Sequence, residues 1–127
     1  MKKKLKNKRV LIVDDDERNR YALSSYLDMM EMKVITANDG ESALKILRSG
    51  GIKIDLILLD IMMPVMDGYE MLRLLRSDES LKDIPVIAVT ARAMKGDDLK
   101  CLEAGATDYI AKPIDLKNFL SIMNKWL

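Results

Sequence analysis

Residues 10–17 read VLIVDDDE: Val10, Leu11, Ile12 and Val13 run straight into Asp14, Asp15, Asp16 and Glu17. A short unbroken apolar run suits a strand covered on both faces. Four carboxylates at its exit are expensive, because a like-charged pair 4 Å apart repels by about 4 kcal/mol at an effective dielectric near 20. Either the acids splay into water or a cation sits among them. By position, Asp16 suits the N-cap of a following helix and Glu17 its first turn, where negative charge is favourable. That leaves Asp14 and Asp15 to be explained.

Outward from this stretch the chain alternates between strand-like runs and amphipathic segments. The strand-like runs are Arg9 to Val13, Lys33 to Ala37, Leu56 to Leu59, Val86 to Val89 and Tyr109 to Ala111, the central ones nearly all apolar. Helical spacing joins Ala22, Leu23, Tyr26, Leu27 and Met30; Ala43, Leu44 and Leu47; Met71, Leu74 and Leu75; and Leu116, Phe119, Leu120 and Met123. Leu99 and Leu102 give a weaker helix between the last two. Asn38 with Glu41 and Asp67 with Glu70 have capping-box spacing, and Asp115 is placed to cap the last helix. Five βα units predict an α/β fold, a parallel sheet with helices on both faces, because right-handed crossovers return each helix to the sheet. Ligands then bind outside the carboxyl ends of the strands.

Composition narrows the chemistry. The 127 residues are 49% apolar and 32% charged, which fits one globular domain, and 21 basic residues against 20 acidic ones lack the footprint of a free-standing nucleic-acid binder. Six of the first nine residues, MKKKLKNKR, are basic; residues 1–8 are expected to be a solvated lead-in, since the apolar run behind them is too short for a signal peptide. No apolar run approaches the roughly 18 residues of a membrane span. One cysteine, Cys101, and no histidine exclude an intramolecular disulfide, zinc sites of the usual kind and His-based nucleophilic dyads. A reducing cytoplasm is the expected setting. The ten methionines are expected to fill core rather than to line a promiscuous groove.

Asp14 and Asp15 leave the first strand, Asp60 the third, Thr90 the fourth and Lys112-Pro113 the fifth, so all should meet at one rim. Singly, each is an ordinary turn, cap or solvated residue. Together, three carboxylates without His or Cys suit a hard cation, Mg²⁺ with Mn²⁺ as a substitute. A divalent cation beside a hydroxyl and an ammonium is equipment for phosphoryl transfer, which depends on positioning and charge neutralisation.

At this point VLIVDDD, LILLDIMMPVMDG, VIAVTARAM and AGATDYIAKPI, in that order, resemble the receiver domains of two-component response regulators, a chemotaxis-regulator-like superfamily. The resemblance covers essentially the whole chain. It implies a flavodoxin-like (βα)5 three-layer sandwich with strand order 2-1-3-4-5, one receiver domain over 1–127 and no effector domain. It implies that Asp60 is the phosphoacceptor, that Asp15 and Asp60 ligate the metal directly and Asp14 through water, and that the Met62 backbone carbonyl completes the protein ligands. Thr90 would bind a phosphoryl oxygen and Lys112 would pair with the acceptor. Pro113 is expected to be cis. Tyr109 would be the rotameric switch coupled to Thr90, with output through the surface of helix 4, strand 5 and helix 5. Met62 and Arg92 occupy positions that modulate phosphoryl lifetime in such domains.

The partner implied is a histidine kinase or histidine phosphotransfer protein, the only catalysis being the domain's own aspartyl phosphorylation and dephosphorylation, in a monomer or a phosphorylation-dependent homodimer. Neither nucleic-acid binding nor membrane insertion is expected. Because the chain ends at Trp126-Leu127, where helix 5 should close, it suits a free-standing receiver or one excised from a hybrid histidine kinase or larger regulator. An aspartate-nucleophile phosphatase would carry its nucleophile on the first strand and add a cap domain. A flavin carrier would need a phosphate-binding loop where this chain has acids. A docking-only pseudo-receiver would have lost site residues, and none is lost.

Overall fold

The computed structural model describes residues 5–62, 67–90, 97–112 and 114–127, with backbone alone at 97–99. Five strands, β1 (Arg9–Val13), β2 (Lys33–Ala37), β3 (Leu56–Asp60), β4 (Val86–Thr90) and β5 (Asp108–Ala111), alternate with α1 (Glu17–Met29), α2 (Gly40–Arg48), α3 (Gly68–Ser77), α4 (Asp97–Ala104) and α5 (Leu116–Trp126). All strand pairs are parallel, in the order β2-β1-β3-β4-β5. This is the flavodoxin-like (βα)5 sandwich expected.

Alternation along the strands divides the core in two. Leu11, Val13, Ile57, Leu59, Val86 and Ala88 face α2, α3 and α4. Val10, Ile12, Leu56, Leu58, Ile87 and Val89 face α1 and α5, where Leu27, Phe119 and Met123 are fully buried. Both faces of β1, β3 and β4 are therefore dry, which explains their unbroken apolar sequences.

The differences from the sequence expectations are small and each has a cause. β3 and β4 run one residue further and β5 begins one earlier, because Asp60 pairs in register with Val89, Thr90 with Ala111, and Asp108 with Ile87. Asp60 and Thr90 are thus held by the sheet itself rather than by loops. Helix α2 is capped by Asp39, whose Oδ1 accepts from Ser42 N at 2.7 Å, not by Asn38. Burying Gly40, Ala43, Leu44 and Leu47 sets that helix's register, and the residue ahead of Gly40 is Asp39. Asp16, Asp67 and Asp115 cap α1, α3 and α5 as expected. Leu72 is buried fully and Leu74 only partly, while Ala22 is exposed. In α4 the exposed Leu102 does not anchor the helix; Cys101, fully buried, does. The basic lead-in is not wholly solvated: Leu5 is buried with the α1–α5 layer, Asn7 N donates to Glu31 O, and Lys33 N donates to Lys8 O.

Two further devices stiffen the frame. At the edge away from the strand exits, Arg76 donates to the carbonyls of Gly105, Lys82 and Ile84 and to Thr107 Oγ1, tying α3 to the approaches of β4 and β5. Gly105 is required there, since its φ is +118° and a Cβ would meet Arg76 Cγ at 2.8 Å. At the opposite edge, a Cβ on Gly68 would lie 2.6 Å from Ile61 Cα, so only glycine lets α3 start directly beneath the end of β3. Arg76→Ala strands several carbonyls at once and is expected to cost about 2–4 kcal/mol in urea unfolding. Asp39→Ala is expected to cost about 1 kcal/mol and Asn38→Ala almost nothing, which the same titrations check.

Candidate metal and phosphoacceptor site

Four of the five strands deliver a polar group at the carboxyl edge of the sheet. Asp14 follows β1, Asp60 closes β3, Thr90 closes β4 and Lys112 follows β5. Asp14, Asp60 and Thr90 are the buried polar residues of the described chain, whereas Asp15 is exposed. One carboxylate oxygen from each of Asp14, Asp15 and Asp60 lies within 4.8 Å of the others. Lys112 Nζ stands 3.6 Å from Asp60 Oδ1 and 4.0 Å from Asp14 Oδ2. Asp60 Oδ1 also accepts from Met62 N at 3.1 Å.

The electrostatics show a site short of positive charge. Burial first, then the Asp14 carboxylate, and less strongly Asp15, push the Asp60 carboxyl up to about 6, against the pull of Lys112 and the Met62 N–H. Asp14 Oδ2 is buried and accepts no hydrogen bond among the described residues. An orphaned buried carboxylate oxygen within an all-oxygen donor set fits a hard divalent cation, Mg²⁺ or Mn²⁺, and Asp14, Asp15 and Asp60 are the residues that would hold it. The Asp16 carboxylate takes no part: it accepts from Arg18 N at 2.8 Å, and that bond holds it below the usual range.

The other expected site residues fall as follows. Thr90 is buried at the same rim, and its carbonyl accepts from Lys112 N at 2.8 Å, so hydroxyl and ammonium are positioned by one ladder. Tyr109 is half-buried and lies opposite Ala88, placing it on the sheet face of Thr90, one diagonal step away. Met62 is 70% exposed beside the acceptor. Arg92 and Pro113 lie outside the described residues, as does Met63.

Sequence reasoning missed two supports. Asp16 N donates to Asp14 Oδ1 at 2.8 Å, which the Asp-x-Asp spacing could have suggested as an Asx-type turn. Arg20 donates to the Asp14 carbonyl at 2.7 Å, for which the sequence carries no signal beyond a cation one turn into α1.

A parallel five-stranded sandwich with a three-acid rim, a buried hydroxyl and an adjacent ammonium defines an aspartyl-phosphate switch domain. The family model described as "Response regulator receiver domain" matches residues 10–124, and the chain belongs to that family. It is 43% identical over 107 residues to the response regulator PleD of Caulobacter vibrioides, covering 84% of this chain and 23% of that protein, so it spans about a quarter of that relative's length. It is 38% identical over 120 residues to the polar-differentiation response regulator DivK of Brucella anthropi, covering 94% of this chain and 96% of that one. Among solved structures it resembles the receiver domain of a sensor histidine kinase from Pseudomonas aeruginosa PAO1, with TM-score 0.85, 33% identity and coverage of 94% and 97%. That structure has a magnesium ion coordinated in its active site cleft. The acidic cluster of the present chain, Asp14, Asp15 and Asp60, is set for the Mg²⁺-dependent aspartyl phosphorylation typical of receiver domains.

Two outcomes are expected. With metal chelated, the raised carboxyl of Asp60 means the folded state binds that proton more tightly than the unfolded chain, so its ionisation penalty is absent below about pH 4 and fully present above about pH 6. Asp60→Asn should therefore be the more stable protein by on the order of 2 kcal/mol at pH 7.5, the two converging near about pH 4, as urea titrations would show. Millimolar Mg²⁺ should raise the melting temperature of the wild type by mass action. Asp15→Asn should lose that gain, whereas Asp16→Asn should keep it and cost only a few tenths of a kcal/mol in stability.

Proposed function

We propose that this chain is the phosphoryl-accepting switch of a two-component or phosphorelay pathway, charged by a histidine kinase or a histidine phosphotransfer protein. The observation that carries this reading is the Asp60 carboxylate at the sheet edge, 3.6 Å from Lys112 Nζ and grouped with Asp14 and Asp15. An Asp60 oxygen attacks the phosphorus of a phosphohistidine, the P–N bond breaks, and the imidazole leaves with a proton. A bound Mg²⁺ supplies charge neutralisation to the transferring phosphoryl oxygens. Asp15 and Asp60 would hold that ion directly and Asp14 through water, and the Met62 carbonyl would complete the protein donors. Lys112 exchanges the Asp60 carboxylate for a phosphoryl oxygen, a role suited to a compact point charge on a flexible stem. Thr90 offers its hydroxyl to another phosphoryl oxygen.

Output in this reading travels from Thr90 to its diagonal neighbour Tyr109 and alters the surface of α4, β5 and α5. Met62, exposed and two residues beyond the acceptor, is in this reading a residue that modulates the lifetime of the acyl phosphate. Among the described residues no helix is long and apolar enough to cross a membrane, and the reading places the domain in the cytoplasm, in keeping with a cysteine, Cys101, that forms no disulfide. The organisation proposed is a single receiver domain over 1–127.

Incubation with a small-molecule phosphodonor and Mg²⁺, followed by intact mass, is expected to show one phosphoryl adduct that Asp60→Asn removes and chelation prevents. An adduct that survives Asp60→Asn, or none at all, would refute the proposal. Amide exchange over residues 98–104 is expected to change on phosphorylation, and identical exchange in both states would sink the output route.

A further inference from the structure

Every polar atom of Asp14 except Oδ2 has a hydrogen-bond partner among the described residues. Its N–H donates to Ala37 O at 3.1 Å, which extends the β1–β2 ladder one residue past the strand. Its Oδ1 accepts from Asp16 N at 2.8 Å, and its Oδ2 faces Lys112 Nζ at 4.0 Å. Its carbonyl has left the strand pairing, and the group that satisfies it is the Arg20 guanidinium, NH1 to O at 2.7 Å. Arg20 is itself fixed, because its N–H donates to Asp16 O at 3.0 Å in the first turn of α1, and its side chain is half-buried.

We propose that Arg20 is a positioning residue of the metal centre: by clamping the Asp14 carbonyl it locks the turn between β1 and α1 so that Asp14 Oδ2 and Asp15 point at the cation. The three bonds to the Asp14 N–H, carbonyl and Oδ1 remove the freedom of the peptide and of the carboxylate together. What remains unsatisfied is the oxygen aimed into the cluster, as expected when supporting groups orient a ligand. Without the clamp, Asp15, exposed and one residue further along the turn, has no side-chain hydrogen bond of its own among the described residues to hold it toward Asp60. The inference deepens the proposed function and rests on its cation site.

The test separates position from charge, because the two act in opposite directions. A cationic side chain near a dication repels it, so if Arg20 contributed only charge, removing it would tighten Mg²⁺ binding and Arg20→Lys would leave it unchanged. If Arg20 positions the turn, both Arg20→Gln and Arg20→Lys, neither of which reproduces the long planar donor, weaken Mg²⁺. Calorimetric titration of the metal-free full chain with MgCl₂ at fixed ionic strength is expected to show about a tenfold loss of affinity in each variant, the usual scale for an outer-shell support. Metal-free melting is expected to stay within a few degrees of wild type. In phosphodonor assays the Mg²⁺ concentration for half-maximal rate should rise by the same factor, with the rate at saturating Mg²⁺ nearly kept. Unchanged or tighter Mg²⁺ binding in Arg20→Lys overturns the proposal, and this variant decides alone if Arg20→Gln does not fold. No Mg²⁺ binding by the wild type would instead refute the underlying cation reading.

Discussion

Three carboxylates and one ammonium meet at the carboxyl edge of this sheet, and the rest of the structure is arranged around holding them there against their own repulsion. Fully ionised, the cluster carries two more negative charges than positive, which is the deficit a divalent cation cancels. Burial makes the deficit count, since Asp14 and Asp60 are almost out of water and lose the dielectric screening that would let them tolerate one another. The raised Asp60 carboxyl is the visible sign of that tension. Stability is given up at one rim so that a cation, and later a phosphoryl group, has somewhere favourable to go.

Holding such a cluster requires a frame that does not yield. The doubly covered β1, β3 and β4 supply it, and pairing of Asp60 with Val89 and of Thr90 with Ala111 carries the sheet's rigidity right into the site. Gly68 lets α3 press against the end of β3, while Arg76 closes the opposite edge of the same helix onto β4 and β5. Tyr109 is half-buried at the margin of one core layer, and α4 is held to the sheet by Cys101 with Leu102 turned outward. In the proposed function, a change in charge at Asp60 meets this stiff sheet behind it and is passed to the surface of α4, β5 and α5.

Much of this was legible before any coordinates, for physical reasons that differ from residue to residue. Unbroken apolar runs such as LILL and VIAV, alternating regularly with amphipathic segments, suit doubly covered strands, so the parallel sheet and its polar rim followed from them. The strand order did not follow from spacing and came with the family resemblance. Capping was readable at Asp67 and Asp115, where one acid precedes each helix, and at Asp16, the last acid before α1. It was ambiguous at Asn38-Asp39, where either residue can cap and only the burial register of α2 decides. Cys101 was invisible as an anchor because a single small residue makes no periodic pattern. Leu5 was masked by the lysines around it. Arg20 and Arg76 were out of reach because a guanidinium that serves main-chain carbonyls leaves no trace in hydrophobic periodicity or in charge pairing.

The central claim is that Asp14, Asp15 and Asp60 form a divalent-cation site at the end of β1 and β3. Substoichiometric Mn²⁺ added to isotope-labelled protein tests it most directly, through distance-dependent paramagnetic broadening of amide signals. Selective loss of the signals of residues 14–16, 60–62, 90 and 112, reversed by excess Mg²⁺ and absent in Asp15→Asn, is the result expected. Broadening centred elsewhere, or uniform weak broadening that Mg²⁺ does not reverse, would contradict it.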